Sequence, residues 1–179
     1  MFDTEQLIED CRKAVAESDT REHINEILRA AVAQPDAVIR ILGEPMLAGI
    51  EKIYQTDDLT IINVVWGPGM QLHPHNHEMW ANIGIYTGRE DNTFYRRSPD
   101  GLEVHGVKTL ETGDTIPLGE SIIHAVTNPL GRMTGAIHIY GGDFFETPRS
   151  EWDPVSFEEK PYDIEHTRQV FAASNRIPD

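Results

Sequence analysis

Hydrophobic and polar positions follow two different periods along this chain. Through the first 43 residues apolar side chains recur at helical spacing. Leu7, Ile8, Cys11 and Val15 fall on one face, behind Asp3 and Gln6 at capping-box spacing. Asp19 and Glu22 repeat that device ahead of Ile24, Ile27, Leu28 and Ala31. A third, shorter helix has Pro35 at its first position and Gly43 just past its end. Cys11 lies on the apolar face and reads as a small buried hydrophobe. After about residue 48 the texture becomes short β-branched and aromatic runs: Ile50–Tyr54, Leu59–Trp66, Trp80–Tyr86, Thr93–Arg97, Leu102–Lys108, Ser121–Val126 and Met133–Tyr140. They are separated by breaks such as Gly67-Pro68-Gly69, Pro99-Asp100-Gly101 and Asn128-Pro129. Many short strands at near-regular spacing predict a sandwich or small barrel, not βαβ units.

The chain therefore divides into N-terminal helices (1–45), a β-barrel (48–142) and a C-terminal extension (143–179), all within one domain of 179 residues. The extension is charged and irregular, but Trp152, Phe157, Tyr162 and Phe171 predict that it packs on the barrel.

Composition narrows the function. Thirty acidic against 15 basic residues give a net charge of −15, which disfavours nucleic acid and anionic membrane surfaces as partners. A single cysteine excludes an internal disulfide and a cysteine-based zinc site. No apolar run reaches membrane-spanning length, and Met1-Phe2-Asp3-Thr4-Glu5 carries no signal-peptide pattern, so the expected location is the cytoplasm. The oligomeric state is left open.

The candidate chemistry lies in His73-Pro74-His75-Asn76-His77. On an extended strand His75 and His77 point to one side and can share a metal ion, with a third ligand from elsewhere. His73 has the same parity and reads as a residue at the mouth of the site. Gly69, His75, His77 and Gly88 resemble the first cupin motif. Gly113, Pro117-Leu118-Gly119, His124 and Asn128 resemble the second, with the Pro-x-Gly two residues early. The glutamate ligand usual in cupins is missing: Ala81 and Asn82 stand there, and Glu78 should point away. The resemblance thus implies a jelly-roll (double-stranded β-helix) barrel with a metal held by His75, His77 and His124. Three imidazoles can serve Zn, Fe, Cu, Ni or Mn.

Beyond the cupin level the chain is similar to the thiol dioxygenases, meaning cysteine dioxygenase and especially bacterial 3-mercaptopropionate dioxygenase. The matching stretches are Val65-Trp66-Gly67-Pro68-Gly69, His75-Asn76-His77, Ile83-Gly84, His124-Ala125-Val126-Thr127-Asn128, Ile137-His138-Ile139-Tyr140-Gly141 and Glu159-Lys160-Pro161. The resemblance implies Fe(II), one per chain, a small-molecule thiol and O₂ as substrates, and a sulfinate product. It also implies a Ser-x-His-x-Tyr relay, read here as Ala136-Ile137-His138-Ile139-Tyr140, so that His138 and Tyr140 are the catalytic candidates. The carboxylate-binding arginine found near Tyr54-Gln55-Thr56 in the mammalian-type enzymes is missing. Arg149 matches the arginine of the mercaptopropionate type. Pairing of Arg149 with Glu146, Glu151 or another acid is the competing reading. Ala81 replaces the residue used for the Cys–Tyr crosslink, and Arg96 and Arg97 read as a solvated face. A cupin isomerase, a carbon dioxygenase and a non-catalytic binding or sensor cupin are the other functions open to this sequence.

Overall fold

A computed structural model describes residues 2–17, 20–99 and 101–176. Three helices lead: α1 (Thr4–Val15), α2 (Thr20–Val32) and α3 (Pro35–Leu42). Asp3 caps α1 by accepting from the Gln6 backbone N–H at 2.9 Å. Pro35 opens α3, and Gly43 ends it with φ +89°. The expected cap at Asp19 and the turn at Asp100 lie outside the described residues.

Eleven strands follow among the described residues: β1 (Gly49–Gln55), β2 (Thr60–Trp66), β3 (Gln71–Asn76), β4 (Ala81–Thr87), β5 (Arg89–Ser98), β6 (Gly101–Glu111), β7 (Thr115–Leu118), β8 (Ile123–Thr127), β9 (Thr134–Tyr140), β10 (Ser150–Trp152) and β11 (Glu159–Pro161). One sheet has the order β1-β2-β9-β4-β7 and the other β11-β10-β3-β8-β5-β6. Every pairing between strands is antiparallel. The last element is helix α4 (Ile164–Ser174), capped by Asp163, which accepts from the Glu165 N–H at 2.9 Å.

β2 and β9 are buried at every position because each sheet face is covered. Ile62, Val64, Ala136 and Tyr140 point into the barrel. Ile61, Ile137 and Ile139 point the other way, into a second core shared with Leu7, Cys11, Leu28 and Val32 of the helices. Alternation on β9 thus places Ala136, His138 and Tyr140 on the barrel side. The helical layer seats directly on β4: a Cβ at Gly84 would lie 2.8 Å from Leu28 Cγ and 3.0 Å from Val32 Cγ1.

The C-terminal extension is more regular than its composition suggests. It contains β10, β11 and α4. Phe171 of α4 stacks on Trp66 with 5.0 Å between ring centroids. Asn175 holds the β1 entrance by exchanging two hydrogen bonds with the backbone of Ala48, at 2.7 and 2.9 Å. The helix was concealed because its apolar stripe is thin. Only Thr167 and Phe171 are buried on it.

Gly84→Ala should lift α2 from the sheet and lower stability by about 1–3 kcal/mol, as overpacked cores do. Urea denaturation checks this, and an unchanged midpoint would contradict the seating of α2 on β4.

Candidate metal centre

His75 and His124 face each other in register across β3 and β8. His77 follows β3 directly. The three ring centroids lie 4.7–5.2 Å apart, and one ring nitrogen from each falls within 4.8 Å of the others. All three residues are at most 5% exposed.

Hydrogen bonding fixes which nitrogens are free. His75 Nδ1 lies 3.0 Å from the carbonyl oxygen of His73, which only accepts, so Nδ1 carries the proton. His124 Nδ1 lies 2.7 Å from Asn92 Oδ1, and the Asn92 amide in turn donates to Glu90 at 2.9 Å. His124 Nδ1 therefore also carries the proton. In their neutral forms both Nε2 atoms keep a lone pair for a cation. His124 Nε2 stands 3.3 Å from His77 Nε2. Two nitrogens bound at about 2.0–2.1 Å to one tetrahedral ion would be about 3.4 Å apart, so the donors are spaced for a shared metal. Burial pushes the basicity of His75 and His77 well below normal and that of His124 to about 4, with the other histidines adding to the effect at His75 and His77. Such imidazoles stay neutral, as metal ligands must. The residues present fit a metal ion with three neutral nitrogen donors.

No carboxylate joins them among the described residues. Glu78 turns back to Asn76 on a positive φ of 55°, Ala81 lies in the barrel core, and Asn82 faces α2, donating to the Arg21 carbonyl.

His73 departs from its expected position. A register shift between Leu72 and His75 breaks the alternation of β3, so Leu72 and His75 both face inward. His73 is turned instead toward Glu151 and His166.

Beside the histidines lies a pocket lined by His138, Tyr140, Phe144, Tyr162, Thr167 and Phe171, among others. Tyr140 packs its ring against His77 at 5.1 Å and its hydroxyl meets His138 Nδ1 at 2.9 Å. Burial raises the Tyr140 phenol well above its usual value, so it is a proton holder.

One buried group here escaped the sequence reading. Glu90 is fully buried, and its Oε2 faces His138 Nε2 at 3.6 Å. Neither atom has another partner among the described residues. Burial opposes its charge, yet His138 and the Asn92 amide hold it below the ordinary carboxylate value. Glu90 and Asn92 thus link His124 of the cluster to the His138–Tyr140 pair. The available signal was strand parity: in Arg89-Glu90-Asp91-Asn92, Arg89 and Asp91 pair outside, leaving Glu90 and Asn92 inside.

Arg149 is 8% exposed and bonds no acid among the described residues. Its Nη1 donates to the carbonyls of Phe144 and Thr147 at 2.6 and 3.2 Å. The guanidinium lies 4.4 Å from the Phe144 ring centroid and 3.8 Å from that of Tyr162. Nε and Nη2, the edge that grips a carboxylate two-handed in the Arg89–Asp91 pair, are buried without partners. Arg96 and Arg97 are exposed and pair with Glu103 and Glu159. Cys11 is fully buried and its thiol is pushed up to about 12 by that burial.

Comparison with known proteins speaks to the fold. No family model matches the chain. A solved Bacillus halodurans protein superposes with a TM-score of 0.50 at 16% identity, covering 60% of this chain and 76% of its own. An RmlC-like cupin family protein with a double-stranded β-helix fold, from Methanocaldococcus jannaschii, gives 0.49 at 13% identity, with 58% and 88% covered. The chain shares its fold with the Bacillus halodurans protein: two antiparallel sheets, preceded by helices. Among the described residues no helix is long and apolar enough to cross a membrane.

The neutral histidines make metal-free protein sensitive to acid. Unfolded imidazoles take up protons near pH 6.5, whereas folded His124 does so only near 4. Stability is therefore full above about 6.5 and is lost as pH falls toward 4. Thermal unfolding of metal-free protein should show this decline, shallower in His124→Gln; a flat profile would contradict the neutral cluster.

Proposed function

We propose that this chain is an Fe(II)-dependent thiol dioxygenase that converts a small mercapto-carboxylate and O₂ into the sulfinate. The observation that carries the reading is the unfilled Nε–Nη2 edge of Arg149, buried against rings that line the cavity of the three histidines. The similarity of the Trp-Gly-Pro-Gly and His-x-Tyr stretches to thiol dioxygenases supports it, and so does a donor set with no carboxylate.

The overall reaction balances without a further reductant: RS⁻ plus O₂ gives RSO₂⁻. Bound Fe(II) would retain its +2 charge among neutral ligands, favour the thiolate, and offer open positions where thiolate and O₂ meet. His75, His77 and His124 would hold that ion. Arg149 takes the carboxylate through two parallel charge-assisted hydrogen bonds, which fixes the distance between carboxylate and sulfur. Phe144 and Tyr162 keep the guanidinium flat and dry. Among the described residues no aspartate or glutamate lines the pocket to receive an ammonium group. That favours 3-mercaptopropionate over cysteine.

Tyr140 holds a proton at its hydroxyl, directed at His138 Nδ1. Glu90 Oε2 faces His138 Nε2 at 3.6 Å, a placement that favours the tautomer with its proton on Nε2 and leaves Nδ1 to accept from Tyr140. Ala136 leaves the place of the relay serine empty of any hydroxyl, and Glu90 supports His138 from the other strand. The apolar walls exclude water from the reacting sulfur.

The test is O₂ uptake by Fe(II)-loaded protein with 3-mercaptopropionate, cysteine and cysteamine, with sulfinate measured by mass spectrometry. Sulfinate in proportion to O₂ is expected, fastest with 3-mercaptopropionate; no uptake with any thiol would refute the reading. Arg149→Ala should raise KM for the carboxylate thiols by about 10–100-fold, the value of a charged hydrogen-bond pair, and leave cysteamine unaffected. Glu90→Gln should lower kcat by about tenfold or more with KM unchanged. Equal kinetics in these variants would reduce Arg149 and Glu90 to structural roles.

A further inference from the structure

A second cluster of metal-ligand atoms lies outside the three-histidine centre. His73 Nε2 is 3.1 Å from Glu151 Oε2, and His166 Nδ1 is 3.0 Å from Glu151 Oε1. The two imidazoles stack almost parallel, 11° apart with centroids at 5.0 Å, so both present a nitrogen to the same carboxylate. One ligand atom from each residue lies within 4.8 Å of the other two, the same closeness found for His75, His77 and His124.

The electrostatics of Glu151 point to a cation. It is 7% exposed, and no lysine or arginine pairs with it among the described residues. Its side-chain partners are His73 and His166, and the Asp163 backbone N–H adds a third bond at 3.2 Å. A buried carboxylate without a lysine or arginine partner lacks the permanent positive charge that ordinarily accompanies it. His166, with its side chain half exposed, leaves the cluster open to solvent on one side, through which an ion could enter and keep a water.

We infer that His73, Glu151 and His166 form a second divalent-cation site, of the two-imidazole, one-carboxylate type that suits Zn²⁺. The three ligands come from β3, β10 and α4, so a bound ion would tie the C-terminal helix to the barrel. That helix carries Thr167 and Phe171 of the cavity wall. The His73 carbonyl also accepts from His75 Nδ1, so the β3 bulge serves both centres.

Zn²⁺ titration of the metal-free chain by calorimetry separates the two sites. Wild type should bind two equivalents at micromolar metal. His166→Ala and Glu151→Gln should each bind one, as should His77→Ala, and His77→Ala/His166→Ala none. Zn²⁺ should also raise the unfolding temperature of His77→Ala but not of the double variant. Circular dichroism establishes that each variant is folded, and Glu151→Gln retains the side-chain size if His166→Ala does not fold. If both folded site variants bind as many ions as wild type, or if His77→Ala binds none, the second site is overturned. Failure of the three-histidine centre would show separately, as an unchanged count in His77→Ala.

Discussion

Three imidazoles crowded into one buried space can coexist only while all are neutral, and neutral imidazoles in contact need somewhere to direct their lone pairs. Much of this molecule is arranged around that constraint. The His73 carbonyl and the Asn92 amide oxygen take the Nδ1 protons of His75 and His124, leaving the Nε2 atoms to converge. The barrel wall of β2 and β9 dries the site, because helices cover its outer face and β1 and β4 pair with its two edges. A carboxylate among the ligands would relax the constraint but would also spend the charge of the ion. Here the carboxylate is withdrawn by one amide, to Glu90 behind Asn92 and His138.

Net charge gives Arg149 its significance. A chain at −15 repels anions at long range, so the proposed carboxylate substrate would have to be recognised locally and out of water. Arg149 is shielded from the abundant acids by the rings of Phe144 and Tyr162 and by two backbone carbonyls. Its remaining edge keeps two buried donors, Nε and Nη2, without a partner among the described residues. A guanidinium so placed costs stability in an empty site, a pattern characteristic of ligand recognition.

The helices and most strands were legible because local signals agree with tertiary need: the Asp3 cap, Pro35 and Gly43 around α3, and the apolar run of β2. The His75, His77 and His124 grouping was legible from motif spacing alone. Three features were not. Strand alternation predicted His73 on the face of His75, but a bulge between Leu72 and His75 resets the parity, and bulges leave little trace in sequence. Glu90 sits in a run of polar residues whose inward parity depends on pairing with β8. Helix α4 buries only two residues, so its stripe is too thin to stand out from a charged segment, although Asp163 provides an N-cap.

The central claim is that three neutral histidines hold one iron with positions open to a thiolate whose carboxylate Arg149 grips. X-ray absorption at the iron edge of the anaerobic Fe(II) protein, with and without 3-mercaptopropionate, tests it most directly. The account predicts about three imidazole scatterers in both samples and one added sulfur scatterer with the thiol, lost at the same thiol concentration in Arg149→Ala. An iron environment that gains no sulfur, or that lacks the imidazole pattern, would contradict it.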